Sequence, residues 1–491
     1  MTLEERSFRK ATRRLIPFLF LIYVVAYLDR VNVSFAQLQL EDDLDFSDTI
    51  FGLGAGIFSL GYVLFGVPSS LALNRFGARR WLAWIMITWG LLSAATLFIG
   101  GPVSFYVLRF LLGVAEAGFF PGIILYLTWW FPERERTRVL ALFMTAIAAA
   151  YVAGGPISGG LLELDGVAGL DGRQWLFLVE GLPAIGLGFV TLRFLDDRPS
   201  DAEWLAADER HYLEEEVARE GALKEAAGPH RLGDALRNGQ VWLLALIYFI
   251  LLAAGFGLTF FVPDLVQDRT GYSDFEVGVL AAIPYGIATA AMLLVARRAD
   301  RAPSRRPYVI VPAFVGAVGT GLTAHAQSPV LLTVSITLAA VGILSAIPVF
   351  WALPTGFLSG TAAAAGIALI AAVGNLGGFA GPAFTGVMED STGGFEVPLT
   401  ALAALLVAGA MLTLLAREEA ASFRSRRSRS PGIRNLRRRA APMLPAGSQA
   451  TAFAPVHSVP RRRLGSSRFT TLWRIDPAYD RAANAISHTA R

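Results

Sequence analysis

Long apolar runs separated by short polar connections make up most of the chain. About twelve such runs recur, near 15–37, 50–73, 81–99, 103–131, 138–162, 175–195, 239–265, 275–297, 307–327, 329–352, 360–388 and 394–416. Each is close to the ~20 residues a helix needs to cross the hydrocarbon of a bilayer. The pattern therefore predicts an all-α polytopic membrane protein with twelve transmembrane helices in two six-helix halves. One long polar stretch, 196–238, divides them. Within it SDAEWLAADERHYLEEEV opens with Ser200 and Glu203 at capping-box spacing, and Trp204, Leu205, Tyr212 and Leu213 follow at helix-compatible positions. An amphipathic helix lying on the bundle is expected there.

The distribution of basic residues orients the chain. The first residues carry Arg6, Arg9, Lys10, Arg13 and Arg14, whereas 38–49 hold five acids and no Lys or Arg. The expectation is a multi-pass protein of the cell (inner) membrane with both termini in the cytoplasm. The division is 1–14 N-terminus, 15–195 first bundle, 196–238 loop, 239–416 second bundle and 417–491 tail.

Composition agrees: 54% of the 491 residues are hydrophobic and the mean hydropathy is +0.50. The start, MTLEERSFRKATRR, lacks a signal-peptide layout. With no cysteine, disulfide, thiolate and cysteine–metal chemistry are excluded. The formal charge of +4 conceals a contrast, because the tail from Arg417 carries 16 Arg against four acids. That Arg/Ser/Pro-rich tail has no helical period and reads as disordered. Attachment to anionic lipid is one role for it and a dispensable solvated tail the other. Almost no aromatics interleave its arginines, so no nucleic-acid partner is expected.

The first run, IYVVAYLDRVNVSFA, places Asp29 and Arg30 side by side in apolar surroundings. The fourth, RFLLGVAEAGFFPGIILYLTWWFP, carries Arg109 and Glu116 two turns apart on one helix face. Each charge at the centre of a bilayer costs about 2.5–3.5 kcal/mol on insertion scales. One explanation is mutual pairing, Asp29 with Arg109 and Arg30 with Glu116 or the reverse, as a packing device. The other divides labour. Arginine keeps its charge and offers a planar fork matching a carboxylate, which makes Arg30 and Arg109 candidates for holding an organic anion. Asp29 and Glu116 are then the candidates for taking up and releasing protons. The near absence of charge in the spans of the second half favours the second explanation. Tyr27 and Tyr62 are candidate hydroxyl donors, with interfacial anchoring or packing as the alternative. Glu180, in RQWLFLVEGLP, is assigned to the outer end of its span, solvated or paired with Arg173, and left outside the site.

NRFGARR (Asn74–Arg80) after the second span and DRAPSRR (Asp300–Arg306) after the eighth share their arginine spacing. Chance between two basic loops is one explanation. The equal spacing at equivalent places favours the other, a repeat architecture, which in membranes is usually a transporter with its site at the repeat interface. Other motifs lead nowhere. GLGAGIFSLG lies inside a span with no strand before it, so it reads as helix packing rather than a nucleotide fingerprint. No metal-spaced histidine pair or serine–histidine–acid set can be assembled, so no enzyme activity, metal or cofactor is expected.

Over residues 13–416 the chain resembles the anion:cation symporter family of the major facilitator superfamily, which includes sialin-like, phthalate, tartrate, galactonate and hydroxyphenylacetate permeases. The resemblance rests on YLDRVNVSFA, RFLLGVAEAGFFPG…WWFP, GGPISGGLL, RQWLFLVEGLPA and FWALPTGFLSGTAAAAGIAL, in that order. It implies alternating access between two halves and proton-driven symport of a small organic carboxylate by a monomer. By matching position it gives Asp29 and Glu116 the proton-coupling roles and Arg30 the substrate carboxylate, with Arg109 beside the coupling acid. Tyr27, Tyr62 and Trp351 fall where such transporters line the cavity. Arg75, Gly77, Arg79 and Arg80, with Asp300, Arg301, Arg305 and Arg306, match a cytoplasmic gating motif that ties helix ends across the halves. The chain departs from the pattern at Ser70 and Asn74, and at Ala371–Ala372, where relatives often have Asn–Ser. Asn375 remains one turn on. The less polar wall implies a substrate with fewer hydroxyls than a sugar acid, such as an aromatic or short aliphatic carboxylate. A proton-coupled exporter of the same fold and a non-transporting membrane sensor are the rival functions.

Overall fold

A computed structural model describes residues 2–225, 237–354 and 360–417. Twelve helices among them are long and apolar enough to span a membrane. In chain order they are Leu3–Leu44, Asp48–Phe76, Ala78–Phe98, Pro102–Trp130, Arg134–Leu162, Gly172–Phe194, Gly239–Thr270, Asp274–Ala299, Pro307–His325, Pro329–Phe350, Gly366–Thr392 and Glu396–Thr413. Helix is the expected answer, because every backbone N–H and C=O in hydrocarbon must find its partner within the chain. The Arg-rich tail beyond Arg417 and part of FWALPTGFLSG lie outside the described residues.

Local chemistry sets the helix ends. Thr2 and Glu5 form a capping box on the first helix, Asp171 and Gln174 on the sixth, and Ser273 and Glu276 on the eighth. The first helix continues far beyond the 15–37 read from hydropathy, since its opening turns are held by charge rather than lipid. Arg6 Nε and Lys10 Nζ lie 2.8 and 2.9 Å from Glu209 Oε1, and Arg6 Nη2 lies 2.6 Å from Asp208.

Those acids belong to the connecting helix, Ala207–Glu225. It starts later than the Ser200–Glu203 pair suggests. Pro199–Asp201 forms a short 3-10 turn instead, and Glu209 accepts the Ala206 N–H at 3.0 Å to begin the helix. Trp204 therefore precedes the helix and stacks on Trp130 with centroids 5.7 Å apart, while Leu205 and Leu213 are buried.

Three spans are interrupted. The fourth breaks between Glu116 and Phe119, the seventh between Thr259 and Val262, and the eleventh between Asn375 and Gly377. Pro121 and Pro263 supply no N–H to the carbonyls of Ala117 and Thr259, which explains the first two.

The first span packs on the fifth and sixth, the second on the fourth, the third on the fourth and sixth, and the seventh on the eleventh and twelfth; the second meets the eleventh and the fifth meets the eighth. These two seams join the halves by bare backbone. A Cβ on Gly155 would overlap the carbonyl of Gly278, one on Gly52 the carbonyl of Pro382, and one on Gly56 would stand 2.7 Å from the Phe379 oxygen. Hydrogen bonds add to the seams at the end of the bundle that carries Asp43, Asp48, Asp274 and Asp390. Thr49 N–H donates to Asp390 Oδ2 at 2.9 Å, Gln39 Nε2 to Asp274 at 3.2 Å, and Phe275 N–H to Glu163 at 3.3 Å. This is the acidic end; the opposite, basic end carries the 74–80 and 300–306 loops.

Candidate functional site

Successive residues on a helix point about 100° apart. Asp29 and Arg30 consequently face different neighbours, although they are adjacent in sequence. Asp29 turns to the third span, where its Oδ1 accepts a hydrogen bond from the Ser93 hydroxyl and the Trp89 indole lies close. Arg30 turns to the second and fourth spans, where its Nη2 donates to Glu116 Oε2 at 2.7 Å.

Aromatic rings surround this ion pair. The Arg30 guanidinium carbon lies 5.5, 5.1 and 5.1 Å from the ring centroids of Tyr27, Phe58 and Tyr62. That of Arg109 lies 5.0 Å from the same Phe58 ring, so one phenyl group serves two cations. A Cβ on Gly113 would overlap the Phe58 carbonyl, and its absence lets the second span approach the fourth closely enough to place the ring there.

Exposure separates the four charges. The Arg30 side chain is 20% accessible, while Asp29, Arg109 and Glu116 are buried. Several polar atoms in the cluster have no hydrogen-bond partner: Asp29 Oδ2, Arg30 Nε, Arg109 Nε and Nη2, and Glu116 Oε1. Glu116 also sits at the last residue before the break in the fourth span. The cluster can hold an anion on a guanidinium and exchange protons on carboxyls buried beside it.

The other expected residues are distributed as follows. Trp351 packs edge-on against Tyr248, centroids 4.8 Å apart, in the second half. Asn375 is half-buried at the break in the eleventh span. Of the loop residues, Arg79 donates its backbone N–H to Asp197 at 2.8 Å, Gly77 has φ +86° against the same carboxylate, and Arg305 lies 3.7 Å from Asp300. Those three contacts run within each half rather than across the halves. Arg75 lies against its neighbour Phe76, and Arg80, Arg301 and Arg306 belong to the same loops.

Residue types alone gave no warning of several members. Phe58, Ser93 and Tyr248 look like ordinary span residues. Tyr151 and Tyr285 stack at 4.6 Å across the seam between the halves, Tyr151 reaches Tyr27 at 5.9 Å, and Tyr285 donates to the Thr259 hydroxyl at 2.9 Å. Glu180 differs from its expected place: it is buried, and Arg173 pairs instead with Asp43 at 2.8 Å and Asp171 at 2.7 Å.

Residues 19–382 match the sequence model of the Major Facilitator Superfamily. A protein of Agrobacterium vitis named as a tartrate transporter is 48% identical over 413 residues, covering 84% of this chain and 95% of its own. A quinolone resistance transporter of Acinetobacter baumannii is 40% identical over 415 residues, 84% of this chain and 96% of its own. Among solved structures, a bacterial homolog of the human lysosomal transporter Spinster, inward-facing and unoccupied, superposes with a TM-score of 0.70 at 18% identity, covering 82% of this chain and 96% of that one.

Proposed function

The chain belongs to the Major Facilitator Superfamily, and we propose that within it this transporter carries a small organic carboxylate together with protons by alternating access. It is a multi-pass membrane protein and not an enzyme. The observation that carries the proposal is Arg30, the one partly accessible charge of the four, held by Glu116 at 2.7 Å.

With Glu116 ionised, that pair satisfies the guanidinium. Protonation of Glu116 removes the competing anion and frees the Arg30 fork for a substrate carboxylate. Proton and anion then enter together, and loss of the proton re-forms the pair and expels the anion. Arg109, buried behind Phe58, offsets the charge of Asp29, the second proton-coupling acid. Tyr27 and Tyr62, with Trp351 and Asn375 from the other half, complete the wall of the substrate site. The relative named for tartrate transport supports a carboxylate cargo.

The basic end faces the cytoplasm in this reading, by the positive-inside rule. The membrane is the inner or plasma membrane, both termini are cytoplasmic, and the monomer suffices. The seams closed at the acidic end fit the inward-opening state of such an alternating-access cycle. Export is the second reading, favoured by the relative named for quinolone resistance.

The test is internal pH in proteoliposomes of the full chain, challenged with L-tartrate and a panel of mono- and dicarboxylates. Acidification by one compound, absent in Arg30→Ala, is the expected result. Uptake of labelled carboxylate with no acidification overturns the proton coupling, and silence across the panel from folded protein overturns carboxylate uptake.

A further inference from the structure

Glu180 is a fifth charge-bearing group in the interior of the first half, and it has no cation. Its Oε1 accepts from Ser158 Oγ at 2.8 Å, and its Oε2 is buried without a hydrogen-bond partner. Arg173, on the same helix, is engaged by Asp43 and Asp171. From the first span Asn32 faces the carboxyl with its own Nδ2 unpartnered, and Asp29, one turn earlier, lies within electrostatic reach. From the third span comes Ser93, the donor to Asp29. Gly181, next to Glu180, lets the sixth span lie on the third there, since a Cβ on it would be 3.3 Å from Ser93 Cβ. The fifth span supplies only the Ser158 hydroxyl among its described contacts to this group.

Charge balance gives this arrangement meaning. Three carboxyls, Asp29, Glu116 and Glu180, share the interior with Arg30 and Arg109, since the third buried guanidinium, Arg173, is already balanced by Asp43 and Asp171. A buried carboxylate without a cation is costly, whereas a carboxylic acid needs only hydrogen-bond partners. Arg30 is committed to Glu116, which leaves Arg109 to balance one acid of the remaining two. The other must hold a proton for the cluster to be neutral. A monocarboxylate that arrives on Arg30 together with the Glu116 proton leaves this balance unchanged, so the remaining acid still needs its own proton.

We propose that Glu180 is a proton-binding site that acts with Asp29, so that the first half carries a proton in addition to the one exchanged at Glu116. The site rests on the proton-coupled reading above. Asp29 and Glu180 face each other across the contact of the first, third and sixth spans, where Ser93 donates to Asp29 and Asn32 faces Glu180. Glu180 stands on the acidic-end side of Asp29, one turn along the first helix at the level of Asn32. The extra proton is therefore held apart from the Arg30–Glu116 pair to which the substrate carboxylate is assigned.

Two measurements on the full chain in lipid vesicles test this. Infrared titration reads the carboxylic-acid C=O signal without any substrate. A protonated-carboxyl signal at neutral pH that disappears in Glu180→Gln is expected, with Ser158→Ala shifting its titration because the donor to Oε1 is gone. A signal identical in wild type, Glu180→Gln and Ser158→Ala overturns the site. The second measurement is the proton-to-tartrate ratio at zero net flux; Glu180→Gln is expected to lower it by one proton while substrate exchange continues. An unchanged ratio in the variant overturns the transport role. Substrate uptake by the wild type without any proton movement overturns the coupling reading instead, and leaves the infrared result to judge the site alone. If Glu180→Gln does not fold, Ser158→Ala and Asn32→Ala carry both readouts, and their failure to move either one overturns the proposal.

Discussion

Arg30 donates to Glu116 across 2.7 Å and thereby joins the first span to the fourth at the break in the latter. The bond uses the guanidinium proposed to take the substrate carboxylate, so in that mechanism occupancy by substrate and pairing with Glu116 exclude each other.

Removing either partner should have different effects. Arg30→Ala loses a charge-assisted anion contact worth about 2–5 kcal/mol, a weakening of roughly 30-fold or more. Arg30→Lys should recover little of it, because a point charge does not reproduce the fork. Glu116→Gln should keep substrate exchange and lose accumulation driven by a proton gradient. Counterflow and net-uptake assays on the same vesicles separate the two, and normal accumulation by Glu116→Gln would remove Glu116 from the mechanism.

Phe58 stands between the guanidiniums of Arg30 and Arg109, at 5.1 and 5.0 Å. Phe58→Leu keeps the bulk and loses the ring face, an effect of about 0.5–2 kcal/mol. The expected result is a substrate KM raised by roughly 2- to 30-fold with the protein's melting temperature little changed. An equal drop in melting temperature and affinity would mean that the ring only packs.

The seams between the halves make a third prediction. Gly155→Ala places a methyl group against the Gly278 carbonyl. Overpacking of about 1–3 kcal/mol should disfavour closure at the acidic end and shift the population toward the state open there. Because the chain contains no cysteine, a single cysteine placed at Ala281 reports this directly. Faster labelling by a membrane-impermeant thiol reagent is expected in the Gly155→Ala background.

Acid should loosen the connecting helix. Burial acts to raise the Glu209 carboxyl, but the Lys10 hydrogen bond, the Ala206 N–H and the Arg6 charge together hold it below the ordinary range. A depressed folded-state value means the stabilisation is complete above the normal glutamate range and is lost as pH falls through the lowered one. Melting curves taken at decreasing pH should show this loss in the wild type, and Glu209→Gln should lower the melting temperature and remove the acid dependence.

The sequence made the spans and the four central charges legible for one reason: a charge in a long apolar run stands out without any knowledge of its neighbours. Asp29, Arg30, Arg109 and Glu116 were visible in that way, and the helices hold them in one cluster. Glu180 was equally visible but misplaced, because its burial depends on the first, third and fifth spans closing around it, and Arg173 two turns away offered an attractive partner that Asp43 and Asp171 had already taken. Tyr151 and Tyr285 were invisible for the opposite reason. A tyrosine in a span is unremarkable until the other half brings a second ring against it. The start of the connecting helix was misread because Ser200 and Glu203 have the spacing of a cap, while Pro199 commits the backbone to a tight turn there.

The interruptions in the fourth, seventh and eleventh spans fall at Glu116, Thr259 and Asn375. At each, the backbone has already given up a stretch of its hydrogen-bond ladder and can bend there without surrendering more. In the fourth span the joint and the carboxyl proposed to exchange protons are one residue. In the proposed mechanism a proton on Glu116 would alter the charge at the point where the helix is interrupted, so the signal would need no transmission to a distant lever: sensor and hinge would be the same few atoms.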